Sequence, residues 1–411
     1  MRSIISRFKN PKEQIKDPLF KNSIFIMLSS GESAIFGFFF WFLAAKLYTA
    51  EAIGIATAMI SSLGLINSFS RLGFDQSLIR FLPEMEKSRV FWTSALVTAI
   101  SAVFLGFFFV LFVDLFSPSL IILRDLLPVY ILFLLLYSFS LTNSSFFIAV
   151  RKAELDFIQK MLLGSRILFL IPLIFFGAFG IFFSVGLAYL IAVSFSFSLL
   201  ILKFKLKFGI DKNYLKNSLE FSAGNYIASV LFSLPPMLMP IIVLNILGAE
   251  QNAIYYIAYT IGAFVFIIPI SFGTSLFVEG SYGEAMRFNT IRSILGIYAF
   301  LIPSVLGIIF IGEFLLAFLG KHYEAGLYAL RLFAVSSLFA PLFNIYNTIK
   351  RVQKDPKGLI AINLLLSTLL ISLSYYLILL YGINGVGYAW LLSYGFCSFL
   401  IILIAKKNRW I

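Results

Sequence analysis

Glu32 stands about nine residues into an apolar run from Ser23 to Leu47, with Ser29 and Ser33 beside it. A carboxyl at that depth can exchange a proton or hold a cation, or it can serve only as a hydrogen-bond partner between helices. A second polar stripe, Asn225, Ser229 and Ser233 at spacings of four, carries the same two readings in a later run. Asn143 lies within SFSLTNSS (138–145), and Asn344 and Asn347 lie at similar depth in another run. These residues either meet a polar ligand or let helices approach closely. Arg166 and Arg331 are the two arginines set several residues inside apolar runs, whereas Arg71, Arg80 and Arg151 lie near run ends. A planar guanidinium suits polyatomic anions; snorkelling of the charged head to an interface is the competing reading.

The elements that must position these groups follow from composition. Sixty per cent of the 411 residues are apolar and 12% are charged, and the mean hydropathy is +0.97. A soluble core cannot absorb that much apolar surface. Twelve runs reach roughly twenty residues, the length that crosses about 30 Å of hydrocarbon at 1.5 Å per residue. The first six are Ser23 to Leu47, Ala52 to Phe69, Phe91 to Val113, Pro128 to Val150, Met161 to Phe179 and Ile181 to Leu202. The second six are Phe221 to Leu247, Ala253 to Val278, Ile291 to Ile311, Leu327 to Ile349, Leu359 to Leu380 and Val386 to Ala405. The expected class is an all-α integral membrane protein with about twelve transmembrane helices.

The net charge of +13 invites a nucleic-acid partner until the basic residues are assigned to sides. With the N-terminus inside, 28 of the 32 Lys and Arg fall on the inner side, leaving Lys46, Arg124, Lys321 and Arg331 outside. That asymmetry predicts cytoplasmic termini in a multi-pass plasma-membrane protein, with anionic head groups rather than nucleic acid beside the basic surplus. The first run follows a basic tail and exceeds a signal-peptide core in length, so it is read as retained. The single cysteine, Cys397, excludes an internal disulfide and a multi-cysteine metal site, and His322 reads as a solvated loop residue. Tyr255, Tyr256 and Tyr259 read as part of the interfacial aromatic belt. Outer segments are short, the longest being Asp114 to Leu127 and Gly312 to Gly326. Phosphate loops, paired metal ligands and nucleophile elbows are missing. No catalytic residue, cofactor or metal is expected.

The chain also repeats itself. LSSGES from Leu28 matches FSAGNY from Phe221, placing Gly31 opposite Gly224 and Glu32 opposite Asn225. Beyond an insertion in the second copy, the offset stays near 199. Ala50-Glu51 then faces Ala249-Glu250, Ser77-Leu78 faces Ser275-Leu276, RKAELD from Arg151 lies over KRVQKD from Lys350, and Val185-Gly186 falls on Val386-Gly387. Six spans per copy make both copies enter the membrane in one direction, a parallel repeat of two six-helix lobes. The expected organisation is a basic tail (1–22), an N-terminal lobe (23–204), a basic linker (205–220), a C-terminal lobe (221–405) and a short tail (406–411). Pro235, Pro236, Pro240, Pro269, Pro303 and Pro341 fall in second-lobe spans against Pro172 alone in the first, so the second lobe is expected to be the more bent.

The opening pair AAKLYTAEAIGIATAMISSLGLINSFSRLGFDQSLIRFLPE (44–84) and the closing run GINGVGYAWLLSY (382–394) resemble the polysaccharide, or O-antigen-type, flippases of the multidrug/oligosaccharidyl-lipid/polysaccharide exporter superfamily. The resemblance implies two lobes around a central cavity and transfer of a polyprenyl-linked saccharide by alternating access. On that reading Glu32, Asn225, Arg166, Arg331, Asn143 and Asn344 line a substrate or coupling-ion cavity. Arg71, Arg80 and Arg151 would meet the diphosphate at the cytoplasmic rim. Glycosyltransferases or a polymerase of the same pathway would be partners. Lipid II flippases usually have two further helices, and their lack argues against a peptidoglycan precursor. The rivals are a cation-coupled small-molecule exporter, which would carry more acids in its spans, and a non-transporting scaffold.

The orientation can be read by labelling. With Cys397 replaced by Ser, single cysteines at Lys9, Lys354 and Lys407 are expected to resist an impermeant thiol reagent in intact cells while one at Lys321 reacts. Labelling at Lys9 without lysis overturns the orientation.

Overall fold

A computed structural model describes residues 18–281, 286–353 and 355–407, and every regular element among them is helical. The helices of the first half are α1 (Pro18–Leu47), α2 (Ala50–Ser70), α3 (Phe74–Phe81), α4 (Lys87–Leu111), α5 (Leu127–Ala149), α6 (Ala153–Leu163), α7 (Arg166–Leu170) and α8 (Ala178–Leu202). Those of the second half are α9 (Lys212–Leu247), α10 (Ala249–Ala263), α11 (Ile267–Ser281), α12 (Met286–Leu319), α13 (Leu327–Ser336), α14 (Ala340–Val352), α15 (Pro356–Tyr381) and α16 (Ile383–Lys407). Among the described residues, nine helical segments are long and apolar enough to cross a membrane, or ten if α13 and α14, bent by 44°, form one span. These nine correspond to expected spans 2, 3, 4, 6, 7, 8, 9, 11 and 12; the first expected span is the 30-residue α1. The tail at 1–17 and the end at 408–411 lie outside the described residues.

The fifth expected span departs from a continuous helix. It is α6, a break at Gly164 and Ser165, the single turn α7, and a 3-10 turn at Ile174–Phe176. Pro172 lacks the N–H that would continue α7, and Gly177 takes a positive φ of 55° before α8 begins. The tenth expected span breaks at 337–339, just before Pro341 at the start of α14. Carbonyls at that break find side-chain donors: Tyr298 Oη donates to the Leu338 oxygen at 2.9 Å and Ser398 Oγ to the Phe339 oxygen at 2.8 Å. By contrast, α9 runs unbroken through Pro235, Pro236 and Pro240. Interruptions therefore occur in both halves.

Two compact units divide the chain: 1–43, 66–116 and 121–223 in the first, and 44–65, 117–120 and 224–411 in the second. In the first unit, α4 packs on α5, and α8 packs on α5, α6 and α7. Glycines set how closely these helices approach. A Cβ on Gly186 of α8 would fall 2.0 Å from the Phe133 ring of α5, so the ring occupies the notch that glycine leaves. In the second unit α16 packs on α13, α14 and α15, and a Cβ on Gly387 would fall 2.7 Å from Leu332. Within that unit, Gly54 of α2 lies so close to Ala249 that a Cβ would meet its carbonyl oxygen at 1.8 Å. Asn252 Nδ2 seals the contact by donating to the Gly54 oxygen at 2.7 Å and to Thr57 Oγ1 at 3.1 Å.

Tyr255 is fully buried, its ring 6.1 Å from Phe333 and 5.9 Å from Tyr259, while Tyr259 lies 5.4 Å from Trp390. This corrects the interfacial-belt expectation for Tyr255, whose helix packs on α13 and which sits in the apolar core of the second unit; Tyr259 is half-buried beside it. At the turn before α15, Asp355 caps the helix by accepting from the Gly358 N–H at 3.0 Å and from Lys350 Nζ at 2.8 Å. The Lys350 hydrogen bond, followed by the Gly358 one, holds the Asp355 carboxyl below its ordinary range.

The Phe133 notch gives a test. Gly186→Leu forces a methylene group into an occupied space, so thermal stability in detergent is expected to fall by an amount equivalent to about 1–3 kcal/mol. Adding Phe133→Ala is expected to restore part of the loss. A single variant as stable as the parent removes the notch as the determinant of α5 and α8 packing.

Candidate functional site

Three charged side chains of the first unit act on Glu32 of α1: Asp156 and Lys160 of α6, and Arg166 at the start of α7. The sequence arranges this locally. Glu32, Phe36 and Phe40 recur at spacings of four and so share one face of α1. That face meets the break between α6 and α7. A Cβ on Gly164 would lie 2.7 Å from the Phe36 ring, the Arg166 guanidinium lies 4.9 Å from the Phe40 ring centroid, and the vacant side of Gly37 faces Arg166 Nη2. The break in the fifth span thus brings Arg166 to the helix that bears Glu32.

Glu32 is 8% exposed, and neither carboxylate oxygen has a hydrogen-bond partner among the described residues. Such an acid is costly to leave unsatisfied, and the field of Lys160 and Arg166 offsets only part of that cost, against the opposing field of Asp156. Asp156, fully buried, is satisfied differently: Ser144 Oγ donates to it at 2.5 Å and Lys160 Nζ at 2.8 Å. One turn away, buried Gln159 ties three helices together. Its Nε2 donates to the Ser140 carbonyl at 2.9 Å and to Ser140 Oγ at 3.0 Å, and its Oε1 accepts from Ser196 Oγ at 2.5 Å. Tyr137 of α5 and Tyr189 of α8 stack at 4.8 Å, and Arg166 acts electrostatically on Tyr189. The arrangement holds two cations, of which Lys160 is paired with the buried Asp156, and one acid without donors among the described residues.

A family model described as polysaccharide biosynthesis protein matches residues 19–278, more than half of the chain and all of this constellation. The chain belongs to that family. No curated protein matches it in sequence. In fold, this polysaccharide biosynthesis family member is similar to an inward-facing multidrug resistance MATE family transporter of the MOP superfamily, with a TM-score of 0.78 and 12% identity, covering 92% of this chain and 94% of that one. It is also similar to the lipid II flippase MurJ in an inward closed conformation, with a TM-score of 0.75 and 16% identity, covering 93% of this chain and 87% of that one. An outward-facing MATE family transporter follows at a TM-score of 0.68 and 12% identity, covering 97% and 96%. At these identities the shared property is the fold.

Of the residues expected from sequence, Glu32 and Arg166 come together in the first unit. Asn143 is in the same unit, fully buried, with both side-chain amide atoms lacking a partner among the described residues. Asn225, Arg331 and Asn344 belong to the second unit. There Asn225 is exposed, Arg331 Nη2 donates to the Ile309 carbonyl at 3.2 Å, and Asn344 Nδ2 donates to the Ala340 carbonyl of its own helix at 3.0 Å. The three rim arginines differ. Arg71 pairs with Asp75 at 3.1 Å and Arg80 with Glu84 at 2.5 Å, so each guanidinium already faces a carboxylate one turn away. Arg151 sits in a turn at a φ of 56° and is exposed.

Sequence reading missed Asp156, Lys160, Gln159 and Ser196. The fifth apolar run begins at Met161, so hydropathy leaves the preceding charged turn to a loop. The i, i+4 spacing of Asp156 and Lys160 was the available signal. Lys160→Met leaves Asp156 buried without its cation, and a loss of about 3 kcal/mol is expected. This is the lower end for a broken buried pair, because the Lys160 side chain is 27% exposed. Adding Asp156→Asn is expected to recover most of the thermal stability measured in detergent. Equal losses in the single and double variants remove the ion pair as the cause.

Proposed function

We propose that the protein is an alternating-access flippase that moves a polyprenyl-linked oligosaccharide from the cytoplasmic to the outer leaflet for cell-surface glycan synthesis. Its family membership, its fold and the inner-side surplus of basic residues support that reading. The observation that carries it is the constellation of Glu32, Lys160 and Arg166. Lys160 and Arg166 supply the charge and multiple donors that a diphosphate requires. Glu32, whose oxygens no protein donor occupies among the described residues, is the group that exchanges a proton or cation as the site alternates between occupied and empty. The protein performs no bond chemistry; it lowers the cost of carrying a polar head group through hydrocarbon while the isoprenoid tail stays in lipid.

The two-lobe duplication belongs to the same proposal. Helix contacts recur in order: α5 with α8 and α6 with α8 in the first unit, α13 with α16 and α15 with α16 in the second. The glycine notches recur with them, since Phe133 fills the space at Gly186 as Leu332 fills that at Gly387. Both termini lie in the cytoplasm on this reading, with the protein in the plasma membrane beside the glycosyltransferases that load its substrate. The competing reading, a cation-coupled small-molecule exporter, draws on the likeness to MATE transporters and uses the same Glu32.

Glu32→Gln preserves size and hydrogen bonding while removing ionisation. Normal abundance is expected, with saccharide export strongly reduced. Precursor is then expected to accumulate on the cytoplasmic leaflet. Full export with Gln and impaired export only with Ala makes Glu32 a hydrogen-bonding residue. Unchanged precursor sidedness together with lost resistance to small cations identifies the exporter instead.

A further inference from the structure

Between the end of α8 at Leu202 and the candidate span that begins at Gly224, the chain turns at 203–205, continues without regular structure and then enters the early turns of α9. This strap carries Lys203, Lys205, Lys207, Lys212 and Lys216, all exposed. Lys203 closes α8 in a helical conformation and Lys205 takes a positive φ of 51°, so the chain turns back on the end of α8 before it runs on. Phe204 and Leu206 point inward: the Phe204 ring lies 5.2 Å from Phe146, and Leu206 packs against the buried cluster of the first unit. Lys203, Lys205 and Lys207 alternate with them in sequence as a row of exposed cations.

Backbone hydrogen bonds hold the row in place. The Leu206 N–H donates to the Leu200 carbonyl at 3.1 Å, Lys207 N–H to Ser88 Oγ at 3.2 Å, and Asp211 N–H to Thr93 Oγ1 at 2.9 Å. Tyr214 then anchors the far end, fully buried, with its hydroxyl 2.8 Å from Ser94 Oγ and its ring against Phe74 and Phe81. Asp211, the acid of the strap, is spent as a cap, accepting from the Asn213 and Tyr214 N–H groups at 2.9 and 3.0 Å.

None of the five strap lysines has a carboxylate partner among the described residues, whereas Arg71, Arg80, Arg89, Lys152 and Lys160 each have one within 3.7 Å; Lys87 and Arg151 resemble the strap in this, and it is the clustering of five such lysines with exposed apolar groups that sets it apart. Apolar side chains are exposed in the same stretch: Leu202, Phe208 at 69% and Ile210 at 54%, although Phe208 also leans on Trp92. Unpaired ammonium groups interleaved with exposed apolar groups, next to a membrane span, match an interface of anionic head groups over acyl chains. An aqueous acidic protein would satisfy the lysines and leave Phe208 and Ile210 in water.

We propose that the strap at 203–216 is a binding site for anionic phospholipid head groups of the leaflet it borders, with the five lysines taking the phosphates and Leu202, Phe208 and Ile210 seated at the acyl boundary. The inference is independent of what the protein transports. It makes the segment joining the two halves a membrane-bound strap rather than a free tether.

The test uses the full-length protein in detergent, with lipid retention read by native mass spectrometry. Phosphatidylglycerol and phosphatidylcholine are offered at equal concentration. The parent is expected to retain phosphatidylglycerol preferentially, with the preference weakening as potassium chloride rises. K203Q/K205Q/K207Q/K212Q/K216Q is expected to lose at least about fivefold of that preference. The corresponding five-Arg variant is expected to keep it, and a control, K87Q/K152Q/K357Q/K406Q/K407Q, to keep most of it. K203Q/K205Q/K207Q serves as the smaller variant should the fivefold one not fold. Undiminished preference in the strap variants overturns the proposal, as does an equal loss in the control. Strap-dependent capture of inorganic phosphate or of a soluble acidic peptide, without preference between the two lipids, overturns it as well.

Discussion

Hydrocarbon offers no hydrogen bonds, so every polar group taken into the membrane must find its partner inside the protein. Most of what distinguishes this chain from a bundle of plain apolar helices follows from that constraint. Where the tenth expected span breaks, Tyr298 and Ser398 supply the donors that water would otherwise provide. Where polar side chains enter the first unit, Gln159 spends both ends of its amide on serines of two other helices. Asp156 is matched by a serine and a lysine. The bare carboxylate of Glu32, like the unpartnered amide of Asn143, is a cost borne without hydrogen bonds among the described residues.

The helical class and the position of most spans were legible because hydropathy integrates over twenty residues and tolerates local error. Glu32 and Arg166 were legible for the opposite reason, since a single charge in an apolar run is conspicuous. What hydropathy cannot register is continuity. The fifth run satisfies an average while Gly164, Pro172 and Gly177 interrupt the helix that carries it. The same averaging pushed Asp156 and Lys160 into a loop, although they lie on a helix of the first unit.

Burial of aromatic groups was the other blind spot. Tyr255 sits in sequence where a belt residue would sit, but the side a tyrosine faces depends on which helix packs against its own. Gly262 leaves room for Phe333, whose Cβ lies 2.8 Å from where a glycine substituent would begin, and α13 closes over the Tyr255 ring. For the rim arginines the sequence contained the answer: Asp75 and Glu84 stand four residues beyond Arg71 and Arg80, the spacing at which helical side chains meet.

The interrupted fifth span has a consequence for how the protein is made. Asp156, Lys160 and Arg166 each carry a penalty of about 2.5–3.5 kcal/mol when presented alone to the insertion machinery at the middle of a helix. The segment between them is divided into α6 and the short α7, so it offers little uninterrupted apolar length to offset those charges. It therefore depends on a companion, and α8, which packs against both pieces, follows immediately. A span so interrupted is held in lipid by its neighbour rather than by its own apolar length.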